Sequence, residues 1–138
     1  MRKICTILSV TALAVTLASG TASATPGSGV AGTILAQKTI GHTDYTLREI
    51  TIQPGGYTGW HFHDGTLYAY VKAGTLTHNL ADCSIDGIFG AGRAFTEKPD
   101  QVHIGRNLGP TPLVLEVLYV LPAGSPLSDD APDPGCGF

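Results

Sequence analysis

Two histidines, His61 and His63, stand at alternate positions in the apolar stretch GWHFHDGTLYAYVKAG at residues 59–74. Residues two apart on a β-strand point to the same side, so both imidazoles face one way while Trp60 and Phe62 face the opposite layer. Burying an imidazole without polar partners is costly. The pair therefore predicts either a hydrogen-bonded polar pocket or two adjacent ligands of one metal ion.

His103, in the stretch KPDQVHIGRN at residues 98–107, is the candidate for a third ligand. It follows the pair by about forty residues, as expected for a neighbouring strand of the same sheet. Three neutral imidazoles suit a divalent transition metal far better than magnesium or calcium. They leave at least one coordination position open for water or another ligand. The competing hypothesis is a metal-free pocket in which the histidines form hydrogen bonds.

The segments that must position these histidines resemble β-strands, and helical periodicity is nearly absent after residue 24. The predicted strands are 32–40, 44–53, 57–63, 66–72, 75–80, 92–97, 101–106 and 112–121. Turn sequences separate them, including PGG at 54–56 and DG at 86–87. About eight short strands without helices predict a single all-β domain, either a sandwich or a barrel.

The spacing of these residues resembles the two motifs of the cupins, small double-stranded β-helix barrels of the jelly-roll type. In the first motif a glycine, a His-x-His pair, a glutamate and a second glycine recur at fixed spacing. The matching positions here are Gly55, His61, His63 and Gly74. In the second motif the matching positions are Gly92, His103 and Asn107. The resemblance extends over most of the chain after residue 24 and implies a cupin-like jelly-roll barrel.

The departures from the motifs concern the carboxylate ligand. Leu67 stands where the family has its metal-binding glutamate, and Tyr68 is one place further on. In the second motif, Lys98 and Asp100 occupy the usual proline and glycine places. The resemblance implies that His61, His63 and His103 bind one divalent transition metal, with zinc, iron, copper, nickel and manganese as candidates. Which group replaces the missing glutamate is left open.

Two further residues are candidates for acid–base catalysis at such a centre. Tyr68 lies on the strand after the histidine pair, and Glu116 lies among apolar residues of the last long strand. A carboxylate that faced inward there would have a raised pKa and could exchange protons with a substrate. The alternatives are a tyrosine packed on the barrel wall and a surface glutamate. His78 is interpreted as an exposed strand histidine, with a place in the pocket lining as the alternative. Glu97 is interpreted as a charge at the rim, with orientation of a metal ligand as the alternative.

The N-terminal residues are typical of a secretory signal peptide. Arg2 and Lys3 precede an apolar run, and a small-residue cleavage pattern ends at residue 24. The predicted organisation is a signal peptide at 1–24, an N-terminal arm at 25–31, the barrel at 32–121 and a tail at 122–138. The sequence thus predicts a secreted protein.

Cleavage would leave two cysteines, Cys83 and Cys136. An even pair in an exported chain favours a disulfide, here between a loop and the tail. A redox-active thiol pair and a metal site are the alternatives. The predicted mature chain carries six Lys and Arg against eleven Asp and Glu, a net charge of −5. This acidity argues against nucleic acid and anionic membranes as partners.

The predicted partner is a small organic molecule held beside the metal. Metal-dependent oxygenase and isomerase or lyase activities both suit such a site, and a non-catalytic binding or sensing barrel is the alternative. Fold alone does not choose among them. A homodimer is also a hypothesis, because residues 25–40 could add a strand to the sheet edge of a second copy.

Overall fold

A computed structural model of the protein describes residues 25–138. The predicted signal peptide lies outside the described residues. The ten strands are β1 (Ser28–Ile40), β2 (Thr43–Tyr57), β3 (His61–Phe62), β4 (Thr66–Ala73), β5 (Thr75–Leu80), β6 (Ile85–Gly90), β7 (Ala94–Glu97), β8 (His103–Arg106), β9 (Leu113–Pro122) and β10 (Asp129–Asp130). All pairings are antiparallel, and the sheet curls into a nearly closed barrel. Among residues 25–138, no helix has the length and apolar character needed to cross a membrane.

The long antiparallel pair β2 and β9 lies at the centre of the sheet. Ten consecutive residue pairs join them, from Thr43 opposite Pro122 to Ile52 opposite Leu113. Strand β4 lies on the other side of β9, with β7 beyond it. Strand β5 pairs with β6 on one side and β8 on the other, and β8 in turn pairs with β3. This order brings the predicted histidine strands together as neighbours.

The core follows from strict alternation along the central strands. On β9 every second side chain is buried, and these side chains meet those of β2, β4 and β5 inside the barrel. The buried cluster consists of Ile50, Ile52, Leu67, Ala69, Val71, Leu76, Leu113, Leu115, Val117, Tyr119 and Leu121. A smaller cluster of Trp60, Ile104 and Ala131 covers the outside of the histidine strands. The predicted orientation of Trp60, opposite to that of the histidines, is confirmed.

Two predicted turns are strands in the structure. The PGG sequence at 54–56 lies within β2, because Gly55 adopts a positive φ of 77° and its N–H donates a hydrogen bond to the Asn107 carbonyl at 2.9 Å. The chain therefore bends there: residues 53–56 have no partners on β1, and the pairing resumes with Tyr57 opposite Ser28. The DG sequence at 86–87 lies within β6, a strand that the sequence pattern did not predict. A register shift between His78 and Asn79 on the partner strand accommodates it.

The C-terminal tail is held against the barrel. A disulfide joins Cys83, in the loop after β5, to Cys136, as predicted. The Arg106 guanidinium lies 3.7 Å from the ring centre of Phe138, and Ala131 donates a backbone hydrogen bond to the Trp60 carbonyl at 2.9 Å. The tail thus closes over β3 and β8 and leads β10 alongside His61.

Candidate metal centre

The three predicted ligands come together at one end of the barrel. His61 on β3 pairs directly with His103 on β8, and their ring centres are 4.3 Å apart. The His63 ring centre lies 4.9 Å from that of His61 and 5.2 Å from that of His103. His63 and His103 are buried and His61 is half-buried. The structure therefore places the three imidazoles around one point.

Backbone carbonyls fix the protonation pattern of these rings. Nδ1 of His61 lies 2.9 Å from the Gly59 carbonyl, and Nδ1 of His103 lies 2.7 Å from the Gln101 carbonyl. Nδ1 of His63 lies 2.7 Å from the carbonyl of Leu127. A carbonyl oxygen can only accept a hydrogen bond, so each Nδ1 carries the proton. Each Nε2 then keeps its lone pair, the form in which histidine binds a metal.

Glu97 places a carboxylate beside the histidines, and the first motif lacks its glutamate. It is the last residue of β7, and the register of β4 and β7 sets it directly opposite Leu67, the position of the family's glutamate. Its Oε2 lies 3.2 Å from Nε2 of His63 and 3.5 Å from Nε2 of His103. The interpretation of Glu97 as a rim charge is wrong, because cross-strand pairing directs this side chain into the centre.

His78 is a fourth histidine at the same place. It is 2% exposed, so the prediction of an exposed histidine is wrong. Its Nδ1 lies 3.1 Å from Oδ2 of Asp86, and its Nε2 lies 3.6 Å from Oε1 of Glu97. The spacing Leu76-x-His78-x-Leu80 was the sequence signal for this inward orientation, since residues two apart share a face.

Three buried histidine nitrogens of this centre have no hydrogen-bond partner within residues 25–138, which favours a bound cation. Nε2 of His63, His78 and His103 has no hydrogen-bond partner among the described residues, although all three atoms are buried. For His63 and His103 the lone pair faces a carboxylate oxygen, which is an unfavourable contact between two acceptors. A divalent ion between them would satisfy both groups. The residues present thus fit a transition metal, whose usual ligands are imidazole nitrogens and carboxylate oxygens.

Two ligand triads can be drawn within this cluster. Donor atoms of His61, His63 and His103 lie within 4.8 Å of one another, and so do those of His78, Glu97 and His103. His103 has a single free nitrogen, because its Nδ1 is bound to a carbonyl. It can therefore bind one ion, so the two triads overlap in one centre.

The pKa values reflect the burial of the cluster. Burial, reinforced by the neighbouring His103, lowers the pKa of His61 to about 3. Burial by itself would raise the pKa of Glu97, but the hydrogen bonds that His103, His63 and His78 donate when protonated outweigh it and hold that pKa well below its usual range. Near neutral pH the centre thus offers a neutral His61 and an ionised carboxylate.

Tyr68 and Glu116 do not reach the histidines. Tyr68 is 54% exposed, because it alternates with the buried Leu67 and Ala69 on β4. Glu116 points to the outer face of β9, where its Oε1 lies 2.9 Å from Nζ of Lys72. Neither is retained as a catalytic candidate, because both lie on the face of the sheet opposite to the core.

A cleft of about 200 Å³ gives access to the centre. It is lined by His61 and His63, by Tyr119 of β9, and by Arg48, Ser128 and Asp130 among others. The Tyr119 ring centre is 5.7 Å from that of His63. Burial raises the pKa of the Tyr119 phenol, so it stays protonated at neutral pH. The cleft can thus offer a proton donor beside the histidines.

The fold and the centre define a small β-barrel with a histidine-rich candidate metal site. A family model described as a cupin domain matches residues 48–121, more than half of the chain. The chain belongs to the cupin family.

Solved cupin-fold structures resemble the chain along most of its length. A cupin domain from Bordetella pertussis is 22% identical over 70% of this chain and 95% of its own, with a TM-score of 0.58. The polyketide cyclase RemF from Streptomyces resistomycificus is 19% identical over 88% of this chain and 90% of its own, with a TM-score of 0.60. A cupin-like protein from Thermotoga maritima is 18% identical over 78% and 80%, with a TM-score of 0.62. No curated protein matches the sequence. At these identities the likeness concerns the fold.

Proposed function

We propose that this chain is an exported cupin that holds one divalent transition metal and acts on a small organic molecule in the adjoining cleft. The ion would bind His61, His63 and His103, with Glu97 as the carboxylate ligand and His78 available as a further nitrogen. The observation that carries the proposal is the set of buried Nε2 atoms without hydrogen-bond partners around an ionised carboxylate. The disulfide between Cys83 and Cys136 supports export, because such bonds persist in oxidising compartments.

The protein's own residues define what the centre can do. The bound metal would supply a Lewis acid that polarises an oxygen of the organic molecule. Glu97 neutralises part of the charge of the ion, and the carbonyls bound to each Nδ1 hold the imidazoles in their ligating orientation. Tyr119 can give a proton to the bound molecule, and the apolar side chains around Tyr119 limit access of water. This arrangement favours catalysis on an oxygen-bearing substrate.

Elemental analysis of the mature protein, purified without an affinity tag, tests the proposal. The expected result is one equivalent of transition metal per chain, which disappears in the double variant His61→Ala, His63→Ala. The matched control is His42→Ala, because His42 is exposed in the turn between β1 and β2. Absence of metal from the parent protein, even after incubation with zinc or iron, contradicts the proposal. Full metal content in the double variant would also contradict it.

A further inference from the structure

Arg48 is an arginine on the inner face of the barrel. On β2 it is two residues from the buried Thr46 and Ile50 and four from Ile52, so it shares their face of the strand, which is the face towards the core. It lines the cleft that contains His61 and His63. No carboxylate among residues 25–138 lies within 4.0 Å of its guanidinium, unlike the cation of Lys72, which pairs with two glutamates. The half-buried guanidinium of Arg48 therefore faces the cleft without an anionic partner from residues 25–138 and is available to a ligand.

The residues around Arg48 leave space for its guanidinium. On the neighbouring strand β1, a side chain at Gly32 would overlap the guanidinium nitrogens, so the absence of a Cβ makes the space that Arg48 fills. On the other side, Arg48 lies near the Tyr119 phenol, where its charge opposes the burial that raises the pKa of that phenol. The Tyr119 ring in turn lies beside His63. One aromatic ring therefore separates the guanidinium from the histidine centre.

The other charged group of the cleft is Asp130 on β10, which is paired with His61 in the sheet. Asp130 forms no ion pair with Arg48 within the described chain, so it leaves the guanidinium free for an external anion. Together, Arg48 and a divalent ion with one carboxylate ligand exceed the charge of Asp130. A three-histidine, one-carboxylate centre would itself keep one positive charge, which favours an anionic ligand.

We propose that Arg48 binds the carboxylate of the molecule that occupies the cleft, and that this molecule is a small organic acid. One carboxylate of the acid would pair with the guanidinium, while a second oxygen group would reach the open position at the histidine centre. The planar guanidinium fork matches a carboxylate in both shape and charge. This inference rests on the proposed function, since the second oxygen group needs the metal.

Two probe acids of equal chain length distinguish the contact with Arg48 from the contact with the metal. Succinate carries a carboxylate at each end, whereas butyrate carries one. Titration calorimetry on the zinc-loaded protein should show succinate binding at least about tenfold more tightly than butyrate, because only succinate can engage both Arg48 and the metal. The variant Arg48→Gln should remove this preference and keep its zinc. Arg48→Lys, which keeps the charge and loses the fork, should retain part of the preference.

The control is Arg93→Gln, which changes the net charge equally at an exposed residue after β6. It should bind both acids like the parent protein. Equal binding of the two acids by the parent protein, or an unchanged succinate preference in Arg48→Gln with zinc bound, would overturn the proposal and leave the metal centre intact.

A parent protein that takes up no metal would refute the proposed function instead. Arg48 is still tested in that case, because the metal-free cleft can bind either acid only through its guanidinium. Any binding should then be lost in Arg48→Gln. An equal affinity in the parent and the variant, or no binding to the parent, would overturn the Arg48 proposal as well.

Discussion

Replacement of Glu97 by glutamine tests the metal centre at its carboxylate. The change keeps the size of the side chain and removes its charge. In the parent protein the two carboxylate oxygens lie 3.2–3.6 Å from Nε2 of His63, His103 and His78. Any ion bound by these nitrogens therefore lies within about 4 Å of the carboxylate.

The size of the effect follows from this short distance. Two unit charges 4 Å apart attract each other by about 4 kcal/mol at an effective dielectric constant of ~20. The double charge of the ion increases this energy, and a water molecule that replaces the lost oxygen decreases it. At ~1.4 kcal/mol for each factor of ten, Glu97→Gln should weaken zinc binding by about three orders of magnitude.

In the absence of metal, Glu97→Gln should not lower the stability of the protein. A glutamine amide can donate hydrogen bonds to the Nε2 lone pairs that face acceptors in the parent protein. The free energy of unfolding of the metal-free variant should therefore equal or exceed that of the metal-free parent. A merely structural glutamate would instead lose stability on this substitution, because its hydrogen-bonding role would be impaired.

Competition for zinc with a chromophoric chelator at fixed pH measures the affinity, and urea unfolding of metal-free protein measures the stability. Glu49→Gln is the matched control, since this half-exposed glutamate pairs with Lys72 on the outer face. A zinc affinity in Glu97→Gln within threefold of the parent value would refute the assignment of Glu97 as a ligand.

Three further predictions concern stability. The free energy of unfolding of the metal-free protein should fall by about 1.4 kcal/mol for each unit that the pH is lowered between pH 6.5 and 3. The reason is that unfolded His61 gains a proton at its ordinary pKa of 6.5, whereas folded His61 has a pKa of only about 3. Urea midpoints across this range check the prediction, and a flat profile contradicts it. Asn107→Ala should cost about 3 kcal/mol in urea unfolding, since the Asn107 side chain makes three hydrogen bonds, and a loss below 1 kcal/mol contradicts this. Replacing Cys83 and Cys136 by serine should cost about 4 kcal/mol, the chain-entropy value for a 53-residue separation, and unchanged thermal unfolding would contradict it.

Alternation and spacing were sufficient to predict the strands that carry the three histidines. The same-side orientation of His61 and His63 is a local property of an extended backbone, and His103 lay at the spacing of an adjacent strand. These features depend on the polypeptide over a few residues, so the sequence contains them directly.

Glu97, His78 and Arg48 became visible at the centre only in the tertiary structure. Glu97, which we propose takes the role of the missing glutamate, comes from a different strand, and its position opposite Leu67 depends on the register between β4 and β7. The ring centre of His78 lies 4.7 Å from that of His103 because β5 pairs with β8. Pairing between distant segments sets such contacts, and a shift of one residue would turn each side chain to the other face. The sequence alone thus determined the barrel class and the three histidines, whereas strand register decided which charged groups surround them.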